Sequence, residues 1–567
     1  MQNRVINYIK ENYKSYYFSL GICILFLIVF NLLFLCRYHT VDDAFMEMIA
    51  CGAYGSPDEH LIYSNSILGF ILKYLYMMTN SIPWYGIMHL VLTVLSFSII
   101  LYVFFNKNNK LIKIWALIAI FVCCFQGYMR VQFTKTSAYL AMAGYILIAH
   151  SFDYEKRKTK QTIGIIMIVL SFMIRTGMFF ACSTVAVGTM IPMILRWLRN
   201  RNDEKTKSDF KNLVKVALIS MLLVGGSFFI DSLSYRSKEW SYYKEFNSYT
   251  TQFEDVNFPS FDKYEKQYLE LGIDKEDFML YNSVDHNDPD LFGIDTMEKV
   301  RQLQPYIDIN FNQFKVFLSK GYENLFKLKS LKPFTTMFFM IMIIFVISKQ
   351  NHNFVDIVSL IYVILTAFVA FAYSYFMHGW YDRISIGIMM VVIFTILYFL
   401  KPNYNKYLSL VSGMMIIILI AVCATQWRSS LRIYQDDFRE EYKINHEVLD
   451  FIYDDKDHLY ISRTSLVLWK KYYTPYDQIK TGAMSNYSPL GDWIANMPLL
   501  VETLERYNVR NPYKDIVNND KVYFIGNDDN LALVETYIRK HYYSNLQVNI
   551  VNKIGPYTVY SFISNGQ

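Results

Sequence analysis

Arg37-Tyr-His-Thr-Val-Asp-Asp-Ala-Phe-Met46 directly follows the first long apolar run of the chain, which spans residues 17–36. The stretch holds two adjacent carboxylates, Asp42 and Asp43, at the point where an apolar segment ends and polar chain begins. Ionised groups at this depth of a membrane are costly unless they are paired or used. The sequence therefore predicts that these carboxylates belong to a functional site.

The composition is that of a membrane protein with many spans. Of the 567 residues, 53% are hydrophobic and 17% aromatic. Several apolar runs are long enough to cross a hydrocarbon core of roughly 30 Å. Hydropathy predicts a mainly α fold, a polytopic transmembrane helical bundle of about eleven helices. The predicted spans are residues 17–36, 84–104, 111–129, 131–151, 161–177, 178–197, 212–231, 333–348, 354–377, 382–400 and 407–426.

The distribution of Lys and Arg predicts the orientation of these spans. With the N-terminus inside, the basic residues fall in the inner loops and the short outer turns are nearly bare of them. An odd number of spans then places the C-terminus outside. The Lys and Arg residues of the inner loops therefore account for the formal charge of +6. Nucleic acid is therefore not expected among the partners, and the protein is expected in the cell membrane with its C-terminal domain extracytoplasmic.

Shifts in composition divide the chain into four parts. Residues 63–76 are apolar at helical spacing but too short to span, which predicts an interfacial helix in the first outer loop. After residue 427, apolar runs at 458–462, 521–526, 546–551 and 557–562 alternate with helical stretches. The predicted parts are an N-terminal transmembrane module (1–231) with the candidate catalytic loop 37–83, a mostly helical outer insert (232–332), the C-terminal transmembrane helices (333–426) and an extracytoplasmic α/β domain (427–567).

Several cations are predicted at the same membrane level as the two carboxylates. They are Arg130, Lys135, Arg175 and Arg383, with His378 and Tyr381 in the turn before Arg383. Together these groups predict a pocket for an anionic, lipid-linked head group, because Arg binds phosphate in a bidentate manner and Lys acts as a point charge. A carboxylate left free would act as a base on an acceptor hydroxyl. Adjacent side chains point in different directions, so Asp42 and Asp43 are expected to differ in role.

Purely structural interpretations of these residues stay open. Asp42 or Asp43 would cap a helix over Ala44–Cys51. Arg130 and Lys135 would snorkel to head groups, and Arg175 would pair with an acid of a neighbouring helix. Arg383 would pair with Asp382, and His378 would belong to an interfacial aromatic belt. The acidic stretch Asp285–Asp290 lacks the spacing of a calcium loop, which favours a solvated turn.

In combination these features resemble the GT-C class of polytopic membrane glycosyltransferases, and are most similar to bacterial O-antigen and surface-polysaccharide glucosyltransferases. The matching features are the pair Asp42-Asp43, the amphipathic segment after it, Arg130-Val-Gln-Phe-Thr-Lys-Thr-Ser-Ala138, Ile174-Arg-Thr-Gly177, His378-Gly-Trp-Tyr-Asp-Arg383 and the outer C-terminal domain. The resemblance implies that a hexose moves from a polyprenyl-phosphate carrier to a surface glycan or lipid acceptor. It also implies that Asp42 or Asp43 is the catalytic carboxylate.

The chain departs from the GT-C pattern at two points. It lacks the Trp-Trp-Asp-Tyr-Gly sequence of the oligosaccharyltransferases, so transfer to asparagine is not expected. Its acidic pair is adjacent rather than Asp-x-Asp, which leaves the use of a divalent metal, Mg or Mn, open, and no metal ligands are predicted. A surface-polysaccharide polymerase and a lipid or sugar transporter or flippase remain alternatives. Charges near one membrane face and two sizeable outer regions favour an enzyme over a transporter.

Overall fold

Apolar helices joined by short loops form the membrane part of the fold. The computed structural model describes residues 12–153, 157–256, 258–283, 285–304, 310–348, 351–402, 406–463 and 473–565. The first part of the chain comprises α1 (Tyr16–Leu33), β1 (Arg37–Tyr38), α2 (Val41–Cys51), α3 (Ser66–Met78), α4 (Trp84–Phe105), α5 (Lys110–Cys124), β2 (Arg130–Val131), α6 (Phe133–Ser151), α7 (Arg157–Ile174), α8 (Thr176–Ala186), α9 (Ile191–Arg199) and α10 (Glu204–Ser234).

An insert, four further membrane helices and a C-terminal domain complete the described part of the chain. The insert comprises α11 (Lys238–Val256), α12 (Phe261–Glu270), α13 (Lys275–Asn282), α14 (Ile294–Gln302) and α15 (Phe311–Tyr322). The membrane helices are α16 (Lys332–Ile347), α17 (Phe354–His378), α18 (Asp382–Phe399) and α19 (Lys406–Trp427). The C-terminal domain comprises α20 (Asp436–Asp454), β3 (Leu459–Ser462), β4 (Tyr487–Pro489), α21 (Pro498–Arg506), β5 (Val522–Gly526), α22 (Asp528–His541), β6 (Leu546–Ile554) and β7 (Tyr557–Ser564).

Each apolar run predicted from the sequence coincides with a helix. Among the described residues, seven helices are long and apolar enough to cross a membrane, or nine if each of two bent pairs is one span. The two remaining predicted spans correspond to α6 and α7. All residues of α6 except Tyr145 are buried, so protein rather than lipid surrounds its Lys, Ser and Thr side chains. The predicted class, a polytopic helical bundle with an α/β domain at its C-terminus, is confirmed.

Close packing of α6 on α7 sets the centre of the bundle. The two helices meet at Gly144 and Gly164, where a Cβ atom on Gly144 would lie 2.8 Å from the carbonyl oxygen of Gly164. A Cβ atom on Gly164 would lie 3.0 Å from the carbonyl oxygen of Gly144. Small residues at such a crossing allow two membrane helices to approach backbone to backbone. This contact fixes the start of α6 relative to the end of α7, where cavity residues lie.

The C-terminal domain is built on a five-stranded mixed sheet in the order β4-β3-β5-β7-β6. Strands β4, β3 and β5 are parallel, and β7 runs antiparallel to both of its neighbours. The four apolar runs predicted as strands are confirmed, while β4 was not predicted. Buried side chains of the insert, such as Phe258 and Tyr281, and of the sheet, such as Phe524, belong to one hydrophobic core. The insert and the C-terminal domain therefore stabilise each other.

The acidic stretch Asp285–Asp290 joins the insert to the C-terminal domain. Asp285 is fully buried and accepts hydrogen bonds from the Arg463 guanidinium, with Nε at 2.7 Å and Nη2 at 2.6 Å. Asp288 is also fully buried. It accepts hydrogen bonds from Asn511 Nδ2, Tyr537 OH and Tyr542 OH. The prediction of a solvated turn is wrong, because the stretch packs between two domains that lie far apart in the sequence.

We expect Asp288→Ala to loosen the insert from the C-terminal domain. The substitution removes an acceptor that the Tyr537 hydroxyl, the Tyr542 hydroxyl and the Asn511 amide share, at a cost of about 1–3 kcal/mol of stability. Thermal unfolding should begin at a lower temperature, and trypsin should cleave the insert sooner. Asp262→Ala, which removes an exposed acid of the same insert, is the matched control. Equal melting temperatures and equal cleavage rates for the two variants would contradict the expectation.

Candidate active site

A polar cavity of about 120 Å³ lies where the membrane helices meet the insert and the C-terminal domain. Four separate parts of the chain supply its walls. Its lining residues are Asp42, Tyr63, Phe133, Thr134, Arg175, Gly177, Met178, Ala181, Thr251, Tyr373, Ser374, His378, Tyr381, Arg383, Ile384 and Trp493. The structure therefore brings together five of the eight residues predicted from the sequence, namely Asp42, Arg175, His378, Tyr381 and Arg383.

Asp42 presents its carboxylate to this cavity. The helix α2 begins at Val41, three residues earlier than predicted, so that Asp42 lies in its first turn and Thr40 is the N-cap. The prediction that an aspartate caps this helix is wrong. Asp42 Oδ2 accepts a hydrogen bond from Thr40 Oγ1 at 3.3 Å, and Oδ1 accepts one from Trp493 Nε1 at 3.3 Å. Among the described residues, Asp42 forms no ion pair.

Asp43 points into the protein instead and is fully buried. Its Oδ1 accepts hydrogen bonds from Tyr85 OH at 3.1 Å and from the backbone N–H of Phe133 at 2.9 Å. Burial raises the pKa of the Asp43 carboxyl well above its usual range, and the neighbouring Asp42 charge adds to this rise. The two adjacent carboxyls thus have different surroundings: Asp42 faces the cavity, whereas Asp43 joins α2 to α4 and α6.

Glu47 is a third acid of α2, one turn after Asp43, and was missed by sequence reasoning. It is buried and accepts hydrogen bonds from Tyr38 OH at 2.6 Å and Tyr76 OH at 3.0 Å. Burial raises the pKa of Glu47 to about 8. Its spacing of four residues from Asp43 places both acids on one helix face. That spacing, in an otherwise apolar helix, is the signal that would have predicted a second buried acid.

Arg175 enters the cavity because the chain breaks between α7 and α8. The break residue is extended, with φ of −155° and ψ of 103°. The last carbonyl groups of α7 accept hydrogen bonds from the first outer loop, Ile174 from Ser64 Oγ at 2.8 Å and Met173 from the Asn65 N–H at 2.7 Å. Helix ends leave such carbonyls without intrahelical partners. The first outer loop is thereby fastened at the point where Arg175 turns inward.

The Arg175 guanidinium lies beside two aromatic rings. Its central carbon lies 4.8 Å from the centroid of the Tyr63 ring and 5.4 Å from that of Phe133. The two rings are nearly parallel, with an interplanar angle of 10°. Cation–π contacts of this kind restrain the position of a guanidinium. Arg175 is therefore oriented before any ligand arrives.

The turn between α17 and α18 supplies His378, Tyr381 and Arg383. Arg383 packs its guanidinium on the Tyr381 ring, 4.3 Å from the centroid. The predicted pairing of Arg383 with Asp382 is wrong, because Asp382 instead pairs with His39 of the first outer loop at 3.3 Å. Arg383 is thus the second guanidinium of the cavity, opposite the loop that holds Asp42.

Lys135 and Arg130 do not line the cavity. The Lys135 ammonium donates hydrogen bonds to the backbone carbonyl of Gln126 at 2.9 Å, to Gln126 Oε1 at 3.0 Å and to the carbonyl of Arg130. These three bonds use all three N–H groups of the ammonium, which stabilises the π-helical turn Phe125–Met129. The Arg130 side chain lies over Phe125 and donates a hydrogen bond to Ser430 Oγ at 3.4 Å.

Trp493, from the loop after β4, closes one side of the cavity beside Asp42. Two non-glycine residues with positive φ flank it in this loop, Asp492 at 70° and Asn496 at 60°, which is a sparsely populated conformation for residues other than glycine. The carbonyl of Trp493 accepts a hydrogen bond from Tyr243 OH of the insert at 2.6 Å. The insert thus holds the backbone of this loop at Trp493, and Thr251 of the insert also lines the cavity.

A possible metal-ligand set lies outside this cavity. Among the described residues, the ligand atoms of Asp58, Glu59 and His60 lie within 4.8 Å of one another. Protein partners already engage these atoms: His60 Nδ1 contacts Asp58 at 2.7 Å, His60 Nε2 contacts the carbonyl of Ser234 at 3.0 Å, and Glu59 pairs with Lys73 at 2.6 Å. The cluster thus fastens the first outer loop to the end of α10.

Fold and site together define a polytopic membrane protein with a polar cavity at the ends of its helices. No protein-family model and no curated protein matches the chain. Among solved structures, the chain is similar to the crystal structure of ArnT from Cupriavidus metallidurans in the apo state. The identity is 9%, the TM-score is 0.41, and the match covers 96% of this chain and 97% of that one. At this identity and TM-score, function has to be derived from the site itself.

We expect the Glu47 carboxyl to make a contribution to stability that is lost as the pH rises from about 4.5 to about 8. The folded state keeps the Glu47 proton up to about pH 8, whereas the unfolded chain loses it near 4.5. Between about pH 4.5 and 8, the folded state therefore keeps a proton at Glu47 that the unfolded chain has lost. The stability that this proton contributes decreases across the interval and does not change further above about pH 8. When melting temperature is plotted against pH across this interval, the slope should be more positive for Glu47→Gln than for the unmodified protein, because the Glu47 contribution is absent. Glu270→Gln, at an exposed position, should match the unmodified slope; if Glu47→Gln did so too, the carboxyl would not titrate as stated.

Proposed function

We propose that the protein is a GT-C type glycosyltransferase that moves a hexose from a polyprenyl-phosphate carrier to a hydroxyl group of a cell-surface glycan or lipid. The observation that carries this proposal is the composition of the cavity. One carboxylate that forms no ion pair among the described residues, Asp42, shares the cavity with two guanidinium groups, Arg175 and Arg383. This combination fits a phosphate leaving group on one side and a hydroxyl nucleophile on the other.

The reaction is an inverting displacement at the anomeric carbon of the sugar. The acceptor oxygen forms a bond to this carbon while the bond from the carbon to the phosphate oxygen breaks. The electron pair of that bond leaves with the carrier phosphate, and the acceptor proton passes to Asp42. General-base catalysis of this kind contributes typically 10²–10⁴-fold in rate.

The two guanidinium groups stabilise the charge that develops on the leaving phosphate. Both contact aromatic rings, Arg175 those of Tyr63 and Phe133 and Arg383 that of Tyr381. Donors fixed in advance, in a site with little water, stabilise developing charge at no cost of reorganisation. His378 and Tyr381 add polar groups to the same wall of the cavity. The sequence-based roles of Arg130 and Lys135 in phosphate binding are not part of this proposal, since their side chains are engaged elsewhere.

Asp42 rather than Asp43 is the base in this mechanism. Asp43 is fully buried, and one of its oxygens already accepts two hydrogen bonds. A carboxyl with a raised pKa also keeps its proton, so that it is not available to accept another. Asp43 is therefore a positioning residue that holds α2, and through α2 it holds Asp42 at the cavity.

The acceptor is assigned to the side of the cavity formed by the outer domains. Trp493 and Tyr63 present aromatic rings beside Asp42, with centroids 4.8 Å apart, and such rings offer apolar faces to a sugar. Thr251 adds a hydroxyl from the insert. We assign this side to the outer face of the cell membrane, as the distribution of basic residues predicts.

The location of the polar groups supports an enzyme over a transporter or flippase. Transporters place their polar sites near the middle of the membrane, at broken helices. Here four polar cavity residues lie at or near helix ends: Asp42 in the first turn of α2, Arg175 directly before α8, His378 at the end of α17 and Arg383 in the first turn of α18. A polymerase that couples carrier-linked oligosaccharides would use the same geometry. The two enzymes differ in the donor: a polymerase accepts a carrier-linked oligosaccharide, whereas the proposed transferase accepts a carrier-linked hexose.

The direct test is transfer of labelled hexose from a synthetic polyprenyl-phosphate donor by the purified protein in detergent. We expect Asp42→Asn to lower the turnover number by on the order of 10²–10⁴-fold with an unchanged melting temperature. Asp43→Asn should keep most of the activity, because an amide oxygen can still accept from Tyr85 and Phe133. Loss of transfer in Asp43→Asn alone would contradict the assignment of the base. A protein that neither binds nor turns over the donor would refute the proposed function, and a chelator added in parallel tests for Mg or Mn.

Trp493→Phe provides a second prediction for the same assay. The variant keeps an aromatic ring but removes the N–H group that donates to Asp42. A hydrogen bond to a charged group is worth about 1.5–3 kcal/mol, so we expect the turnover number to fall roughly ten- to a hundredfold, with a smaller change in KM. Trp240→Phe is the matched control, since Trp240 stacks on His60 at 4.1 Å and does not line the cavity. Equal turnover numbers for the two variants would show that the indole N–H does not position Asp42.

A further inference from the structure

The helix α15 and the π-helical turn Glu323–Lys327 that continues it have little contact with the rest of the protein. Within α15, Phe317 and Gly321 are the buried residues. Both pack on Trp380: the Phe317 and Trp380 rings are stacked with centroids 5.5 Å apart, and a Cβ atom on Gly321 would lie 2.9 Å from the indole. The remainder of α15 is exposed. Trp380 directly precedes Tyr381, a residue of the cavity wall.

The exposed side of α15 carries an apolar stripe. Phe311, Phe314, Leu318 and Tyr322 are large, apolar and exposed, and their spacing of three or four residues places them on one face of a helix. This face lies beside the strip formed by Phe317 and Gly321. Water would be an unfavourable environment for four such side chains in a row. The hydrocarbon region of a membrane next to the bundle is a favourable environment for these four side chains.

The same segment is strongly basic. Between Phe311 and Lys332 the chain contains five lysines and a single acid, Glu323. Glu323 pairs with Lys327 at 3.0 Å. The other lysines of the segment are Lys315, Lys320, Lys329 and Lys332. Lys315 borders the apolar stripe and Lys320 lies on the opposite side of α15. An apolar helix face with lysines at its border and on the opposite side is typical of elements that lie in the membrane interface. Membranes with anionic lipids attract such lysines further.

The direction of the chain is consistent with this placement. Phe311–Lys327 and the apolar helix Lys332–Ile347 (α16) are bent against each other by 93°. If α16 runs across the membrane, α15 lies along its plane. The lysines then sit at the depth of the lipid phosphates, and the apolar stripe points toward the acyl chains.

We propose that α15 is a binding site for anionic phospholipid head groups. Its lysines hold the lipid phosphates, and the apolar stripe enters the acyl region of the same leaflet. Through Phe317 and Gly321 the helix holds Trp380, and thus the His378–Arg383 turn, at the level of the membrane surface. A second copy of the chain is a poorer occupant, because a symmetric contact would bring lysines against lysines.

Lipid selectivity of the full-length protein tests the charge part of this proposal. Native mass spectrometry of the purified protein, titrated with phosphatidylglycerol or phosphatidylcholine, gives the relative affinity for the two lipids. Replacing Lys315, Lys320, Lys327 and Lys329 with Gln should lower the preference for phosphatidylglycerol by about five- to thirtyfold, since each lysine near an anionic surface contributes. The control replaces four exposed lysines of the insert, Lys263, Lys266, Lys275 and Lys299, with Gln. Equal preferences in the two variants would overturn the proposal.

Depth measurement tests the apolar part separately. All seven native cysteines are buried, so spin labels at Leu318→Cys and Ser319→Cys report two neighbouring faces of the same helix. In vesicles containing phosphatidylglycerol, the label at 318 should be accessible to oxygen and the label at 319 to a water-soluble nickel chelate. Nickel access at 318 would overturn the proposal, and so would spin–spin coupling between two labelled copies, which would identify a second chain as the occupant.

Discussion

The hydrogen bond from the Phe133 backbone to Asp43 is the contact on which the site depends. It joins the first outer loop to the start of α6, the most buried helix of the bundle. Tyr85 of α4 binds the same carboxyl oxygen. Because α2 cannot turn without breaking both bonds, the neighbouring residue Asp42 is fixed toward the cavity. The buried carboxyl of Asp43 thus fixes the position of the neighbouring carboxylate of Asp42, which faces the cavity.

The cavity is lined by residues that lie far apart in the sequence. A helix break supplies Arg175, a turn between two spans supplies Arg383, and a loop of the C-terminal domain supplies Trp493. Each of these groups is restrained by contacts of its own, on aromatic rings or through the Tyr243 hydroxyl. The polar groups are therefore held in place from several sides.

Sequence reasoning predicted the fold well and the site in part, for identifiable physical reasons. Apolar runs of the required length have few alternatives to membrane helices, and strands such as Val522–Gly526 show clear apolar patterns. Charges near a membrane surface identified Asp42, Arg175 and Arg383. Lys135 could not be assigned correctly, because its partners are backbone carbonyls of a π-helical turn that no side-chain pattern reveals. Thr251, by contrast, reaches the cavity only through tertiary packing.

The core shared by the insert and the C-terminal domain has a consequence for synthesis of the protein. Residues such as Tyr281 leave the ribosome before four membrane helices, and their partners such as Tyr537 leave after them. Domains usually fold as units in the order of their synthesis. This insert cannot complete its core until the last membrane helices and the C-terminal domain have been synthesised, and its aromatic side chains stay exposed until then. Biogenesis thus includes an interval in which the insert is incompletely folded and its exposed apolar surface can bind chaperones. The cavity is complete only after the C-terminal domain, which supplies Trp493, has been synthesised.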